Sequence, residues 1–247
     1  MSGFRPRLYP ALFTVAVVLV CGGLGLWQLQ RLEWKRTLIA QREAAVAAAP
    51  VAPPQTLGDA RALEFHAIVA DGVFLNEKEI FLNAIGPKGG AGFDVLTPLR
   101  EAAGRVVFVN RGFVRTELKD PAKRAAAQPA ATVRVAGLLR LPPERKPNWF
   151  VPDNRPDRND WFWVDLAAMA AADGLADVAP FYIEANATPN PGGWPKGGVT
   201  PLALPNDHLQ YAITWFALAV AAIVIYLLSQ RRGARGDASD DQRLPGT

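Results

Sequence analysis

Two histidines and one cysteine are the whole stock of imidazole and thiol in this 247-residue chain, so the positions of these three residues bound its chemistry. Cys21 lies inside a run with no charge. It has no basic neighbour to activate it and no thiol partner for a disulfide, and reads as a small packing residue. His66 falls in the alternating stretch 63–69, where an imidazole reads as a surface or satisfied core residue. His208 is different. It stands in Asn206-Asp207-His208-Leu209-Gln210-Tyr211-Ala212-Ile213-Thr214-Trp215, where Asn206 or Asp207 can cap a helix. His208, Tyr211 and Trp215 then follow at i, i+3 and i+7 and share a face. An imidazole above a tyrosine and a tryptophan at a membrane surface suits a flat, apolar, metal-bearing ligand such as haem, with His208 as the metal ligand. Tyr and Trp also gather at interfaces simply as anchors, and spacing alone leaves both readings open.

A second aromatic and basic set lies near the other end of the chain. Trp27, Arg31 and Trp34 share a helix face by the same spacing, and Gly22, Gly23 and Gly25 allow another helix to approach closely. If the two apolar segments pack, Arg31 and Lys35 fall near the height of His208, where cations can pair with haem propionates. An aromatic belt with interfacial basic residues accounts for the same pattern.

Signatures of catalysis are missing from the sequence. It has no G-x-S-x-G elbow, no Gly-rich turn between a strand and a helix, no H-E-x-x-H and no C-x-x-C. Asp157 and Asp160 sit in a loop rich in proline and arginine and read as solvated. The chain is expected not to be an enzyme.

The positioning elements follow from hydropathy. Leu8–Gln30 and Leu209–Gln230 contain no charge, and each is long enough to cross a hydrocarbon core of roughly 30 Å as a helix. The predicted layout is a cytoplasmic N-terminus over 1–7, transmembrane helices over 8–30 and 208–230, and an extracytoplasmic domain over 31–207. A disordered cytoplasmic tail is predicted over 231–247. Arg5 and Arg7 before the first span and Arg231, Arg232 and Arg235 after the second put both termini inside. Arg31, Lys35 and Arg36 oppose that orientation, but a long translocated domain is judged poorly by its own charge. The first apolar run exceeds a signal-peptide core, no A-x-A site follows it, and a transit peptide has no room before Arg7. A multi-pass protein of a bacterial inner membrane with a periplasmic central domain is expected. The net charge of +4 does not imply nucleic acid, because the basic residues cluster at membrane edges, where they meet lipid headgroups.

Between the spans, a helix is predicted to run from Arg31 to Ala49 and stop at Pro50, Pro53 and Pro54. Strand patterns follow at Leu63–Val69, Glu79–Asn83, Phe93–Leu99, Arg105–Val109, Thr132–Leu139, Trp161–Val164 and Pro180–Glu184. Gly86 to Gly92 reads as a loop or hairpin end, and Asp165 caps a helix over Leu166–Ala172 that ends at Gly174. Leu141–Asp160 and Thr188–Pro205 read as loops. The fold class is α+β, a mostly antiparallel sheet or partial barrel flanked by two transmembrane helices.

Five segments, in order, resemble the Surfeit-locus-one (Shy-one) family of cytochrome oxidase assembly proteins, bacterial type. They are Gly25-Leu26-Trp27-Gln28-Leu29-Gln30-Arg31 with Trp34-Lys35, Gly72-Val73-Phe74, Val109-Asn110-Arg111-Gly112-Phe113-Val114, Gly137-Leu138-Leu139-Arg140, and Asn206 to Phe216. Phe113 stands where the family commonly has Trp. The resemblance implies a role in maturing a haem–copper terminal oxidase, with haem a bound and passed to the large subunit. It implies His208 as the binding histidine, with Tyr211 and Trp215 as pocket wall. The implied partners are that large subunit and haem a synthase. A scaffold that holds an oxidase intermediate without touching haem needs the same two spans and the same domain.

Overall fold

The structure, a computed structural model, describes residues 8–87, 89–198 and 205–240, the last ten as backbone only. The predicted N-terminus 1–7, the end of the tail and part of the 188–205 loop lie outside the described residues. The chain forms two compact units, one from Met1–Ala40 with Ala203–Thr247 and one from Gln41–Leu202.

Helix α1, Leu8–Ala47, runs unbroken because no proline intervenes between Pro10 and Pro50. A short α2 spans Leu57–Ala62, capped by Thr56, whose hydroxyl accepts from the Asp59 N–H. The strands are β1 Ala67–Phe74, β2 Ile80–Ile85, β3 Ala91–Glu101, β4 Val106–Arg115, β5 Val133–Arg140 and, after helix α3 (Leu166–Ala172), β6 Val178–Ala185. Helix α4 follows over His208–Asp240.

The six strands pair in the order β1-β5-β6-β4-β3-β2, and β1 also pairs with β3. That extra pairing closes β1, β5, β6, β4 and β3 into a barrel, with β2 added outside β3. All pairs are antiparallel except β4 with β6. Alternate residues fill the interior: Ile68 and Ala70 from β1, Leu99 from β3, Val107 and Val109 from β4, Leu139 from β5, and Phe181 and Ile183 from β6. Their neighbours on β3 and β4 point outward, and there Ile80, Leu96 and Phe108 are covered by Trp161 and by Leu166 and Met169 of α3. β4 is therefore buried on both faces, which explains why Val106–Val109 are apolar throughout rather than alternating.

Three sequence expectations need correction. The strand predicted from Leu63 begins at Ala67. The Thr56 cap starts α2 upstream, and Phe65 takes a left-handed conformation (φ +68°) that a strand does not tolerate. Trp161–Val164 is not a strand: Trp161 makes one parallel bridge to Leu82, its ring enters the outer cluster, and Asp165 then caps α3 through the Ala168 N–H. The tail predicted to be disordered from residue 231 continues as helix to Asp240, since no proline occurs before Pro245.

Candidate functional site

Within the helical unit, α1 and α4 meet through small residues. On α1 the buried positions Cys21, Gly25 and Leu32 lie four and seven residues apart, hence on one stripe. On α4 the buried apolar positions among the described residues are Ala212 and Ala219. A Cβ at Gly25 would stand 2.7 Å from the Phe216 ring, so the ring would have to shift to admit one.

One helical turn beyond Gly25, on the same stripe, the side-chain oxygen of Gln28 faces His208. His208 Nδ1 and Gln28 Oε1 are 2.6 Å apart, although the residues are 180 positions apart in sequence. His208 is the first residue of α4, and the Asp207 carbonyl accepts the helix's first backbone bond from the Tyr211 N–H. An amide oxygen only accepts, so an imidazole that donates this bond carries its proton on Nδ1 and has the Nε2 lone pair left for a ligand.

The other site residues named from sequence make no hydrogen bond to this pair among the described residues. Trp215 is half-buried, and Tyr211 is exposed one turn from His208. Trp27 and Trp34 are half exposed, and the Arg31 guanidinium lies 4.4 Å over the Trp34 ring. The Trp27, Arg31 and Trp34 face and the Gly25 and Gln28 stripe are thus different faces of α1. The residue brought to His208 is Gln28, which is not among the site residues named from sequence. Its signal was available: a polar amide in an uncharged helix, on the stripe that also carries a glycine, needs a partner.

A flat metal-bearing ligand fits this chemistry. It needs a neutral imidazole with one nitrogen available, beside apolar and aromatic surface. His208, Tyr211 and Trp215 are the residues that would hold it. Among the described residues, no three His, Cys, Asp or Glu side chains converge as a metal site.

The Val109–Val114 segment has another role. Arg111 and Arg124 are buried with Glu79, and the Arg124 fork grips both Glu79 oxygens, one arm at 2.9 Å. Arg111 Nη1 lies 3.6 Å from the same carboxylate, and burial pushes its pKa down to about 10 against the pull of Glu79. Asn110 accepts from the Gly112 N–H at 2.9 Å. Gly112 itself has φ +107°, and a Cβ there would fall 1.9 Å from the Lys196 carbonyl oxygen. These residues lock the barrel together. Nearby, burial raises the Asp94 carboxyl to about 6, opposed by a hydrogen bond from Asn110 and reinforced by Glu184.

The profile of the SURF1 family matches residues 15–220, which takes in the barrel and the helix pair. The chain belongs to the SURF1 family. It is similar to a SURF1-like protein of Monosiga brevicollis, 37% identical over 92% of this chain and 88% of that protein. It also resembles Surfeit locus protein 1 of Homo sapiens, 36% identical over 87% of this chain and 75% of the human protein. A SURF1-like protein of Drosophila melanogaster is 34% identical over 83% of this chain and 72% of its own length. Both helices flanking the barrel are long and apolar enough to cross a membrane, so this member of the family is a membrane-associated α+β protein.

Proposed function

We propose that this SURF1-family chain is an assembly factor for a haem–copper terminal oxidase, which binds haem a at the membrane surface and assists its insertion into the oxidase large subunit. The observation that carries the reading is the open Nε2 of His208 at the start of α4, with Tyr211 and Trp215 following on that helix. A carrier must hold its cargo and then release it. One neutral imidazole is exchangeable in a way that a closed two-ligand site is not. The Asn206–Phe216 segment is the part of the family resemblance that implies haem a, and the large subunit and haem a synthase are the partners it implies. Catalysis is no part of this role.

The reading places the protein in a bacterial inner membrane as a multi-pass protein, with the barrel in the periplasm and both termini in the cytoplasm. Arg5, Arg7, Arg231, Arg232 and Arg235 support that orientation. Arg31, stacked on Trp34, supplies a cation one turn from Gln28, available to a propionate.

The test is an absorption spectrum of the full chain purified in detergent from cells making haem a, beside His208→Ala. A haem a band that is lost or shifted in the variant supports the carrier; an unchanged band in the variant overturns it. One observation favours the scaffold instead. Trp149 and Phe150 stack at 3.6 Å in the Leu141–Asp160 loop and are 80% and 74% exposed, an apolar tip suited to a client protein. Absence of haem from both proteins, with oxidase subunits still co-purifying, would favour that alternative.

A further inference from the structure

We propose that Gln28 is the positioning residue of the His208 site: it fixes the imidazole tautomer, and as a neutral amide it keeps the metal bond weak enough to exchange. The ligand half of this inference rests on the reading of His208 as the haem-binding residue; the tautomer half stands without it.

The geometry carries the first half. Gln28 and His208 lie on different helices, so their 2.6 Å contact exists only while α1 and α4 are in register. Gly25, one turn from Gln28, lets the Phe216 ring sit where any Cβ would intrude, and so holds that register. An amide carbonyl inside an uncharged helix loses its water on pairing and keeps a partner for that reason. Among the described residues, this is the one hydrogen bond made by the His208 ring. With the Gln28 oxygen as acceptor, the tautomer that satisfies this contact has its proton on Nδ1 and its lone pair on the other nitrogen.

Chemistry carries the second half. A histidine that ligates a metal donates its other N–H to an acceptor, which sets ring orientation and ligand basicity. A carboxylate in that place draws the proton strongly and makes the imidazole a firmer donor. An amide draws it weakly. Gln28 thus orients the ring without strengthening the metal bond, which is what a protein that surrenders its cargo requires.

The experiment uses the full chain in detergent, labelled with 15N-histidine. His66 and His208 are the two histidines, and His208→Ala assigns the signals. In protein without haem, near pH 8 and above the ordinary imidazole range, ring nitrogen shifts should report His208 protonated on Nδ1. In Gln28→Leu the signal should move toward protonation on Nε2 or a mixture. A parent protonated on Nε2, or a Leu variant unchanged, overturns the inference whatever happens to haem. Haem retention is the second readout. Gln28→Leu should bind about 10- to 100-fold more weakly, and Gln28→Glu should release haem to an acceptor haem-binding protein more slowly than the parent. Equal retention and release in all three would overturn the exchange role. If His208→Ala itself keeps an unchanged haem spectrum, the ligand reading fails separately while the tautomer result stands.

Discussion

In the barrel, Glu79, Arg111 and Arg124 are all buried to 5% exposure or less and answer one another's charge. In the helix pair, His208 and Gln28 meet only part-buried, and Trp27, Tyr211 and Trp34 remain half exposed. The apolar windows of α1 and α4 are 17% and 11% buried within the protein, so most of their surface is left for lipid. The contrast separates two uses of polar residues. The buried carboxylate of Glu79 ties two guanidinium groups into the barrel, whereas the part-buried His208 and Gln28 join two helices through one side-chain contact. Lipid removes the hydrophobic drive between helices, so small contacts such as Gly25 with Phe216 set their register.

The contrast breaks most visibly at Glu79. Glu79→Gln leaves two buried guanidinium groups without their carboxylate and should destabilise the barrel by about 3–5 kcal/mol, read by chemical denaturation. On the proposed haem site, the spectrum of the fraction that remains folded should not change. If the spectrum changed as much as the stability, the two regions would not be separable.

Asp94 sharpens the comparison from the same side. Its folded pKa of about 6 exceeds the ordinary 3.8, so the folded state holds this proton more tightly than the unfolded chain. The stability linked to the protonated carboxyl is complete below 3.8 and is lost as pH rises through about 6. Asp94→Asn should therefore stabilise the barrel above pH 6 by about 3 kcal/mol, with the gain vanishing near pH 4. Denaturation midpoints measured across that window check it; a gain independent of pH would contradict it.

The smallest effect on folding belongs to the helix pair. Gly25→Leu forces the Phe216 ring aside and should destabilise the α1–α4 contact by about 1 kcal/mol, leaving the denaturation of the barrel unchanged. Its effect on His208 should be larger than its effect on stability, because the Gln28 contact depends on register. The 15N signal of His208 in this variant should drift toward that of Gln28→Leu.

Much of this was legible in order along the chain. Uncharged runs marked both apolar helices, Asp165 and Gly174 bounded α3, and Gly86–Gly92 marked the β2–β3 turn. The entry to the barrel was not. Alternation from Leu63 imitated a strand, while the Thr56 cap and the left-handed Phe65 broke it into a helix and a turn. At the site, His208 was identified by residue type and position, but the residues expected near its height were Arg31 and Lys35, as propionate partners, and not Gln28. A face shared on one helix does not say which face meets the next helix.

The sequence by itself determined the two apolar helices, the β-rich middle and the candidacy of His208, because hydropathy, period and residue chemistry are local. The tertiary structure decided that β1 closes on β3, that β4 runs parallel to β6, and that Gln28 faces His208. Each of these joins residues distant in the chain. Such pairs are chosen by which apolar faces can be buried together, and no local pattern encodes that choice.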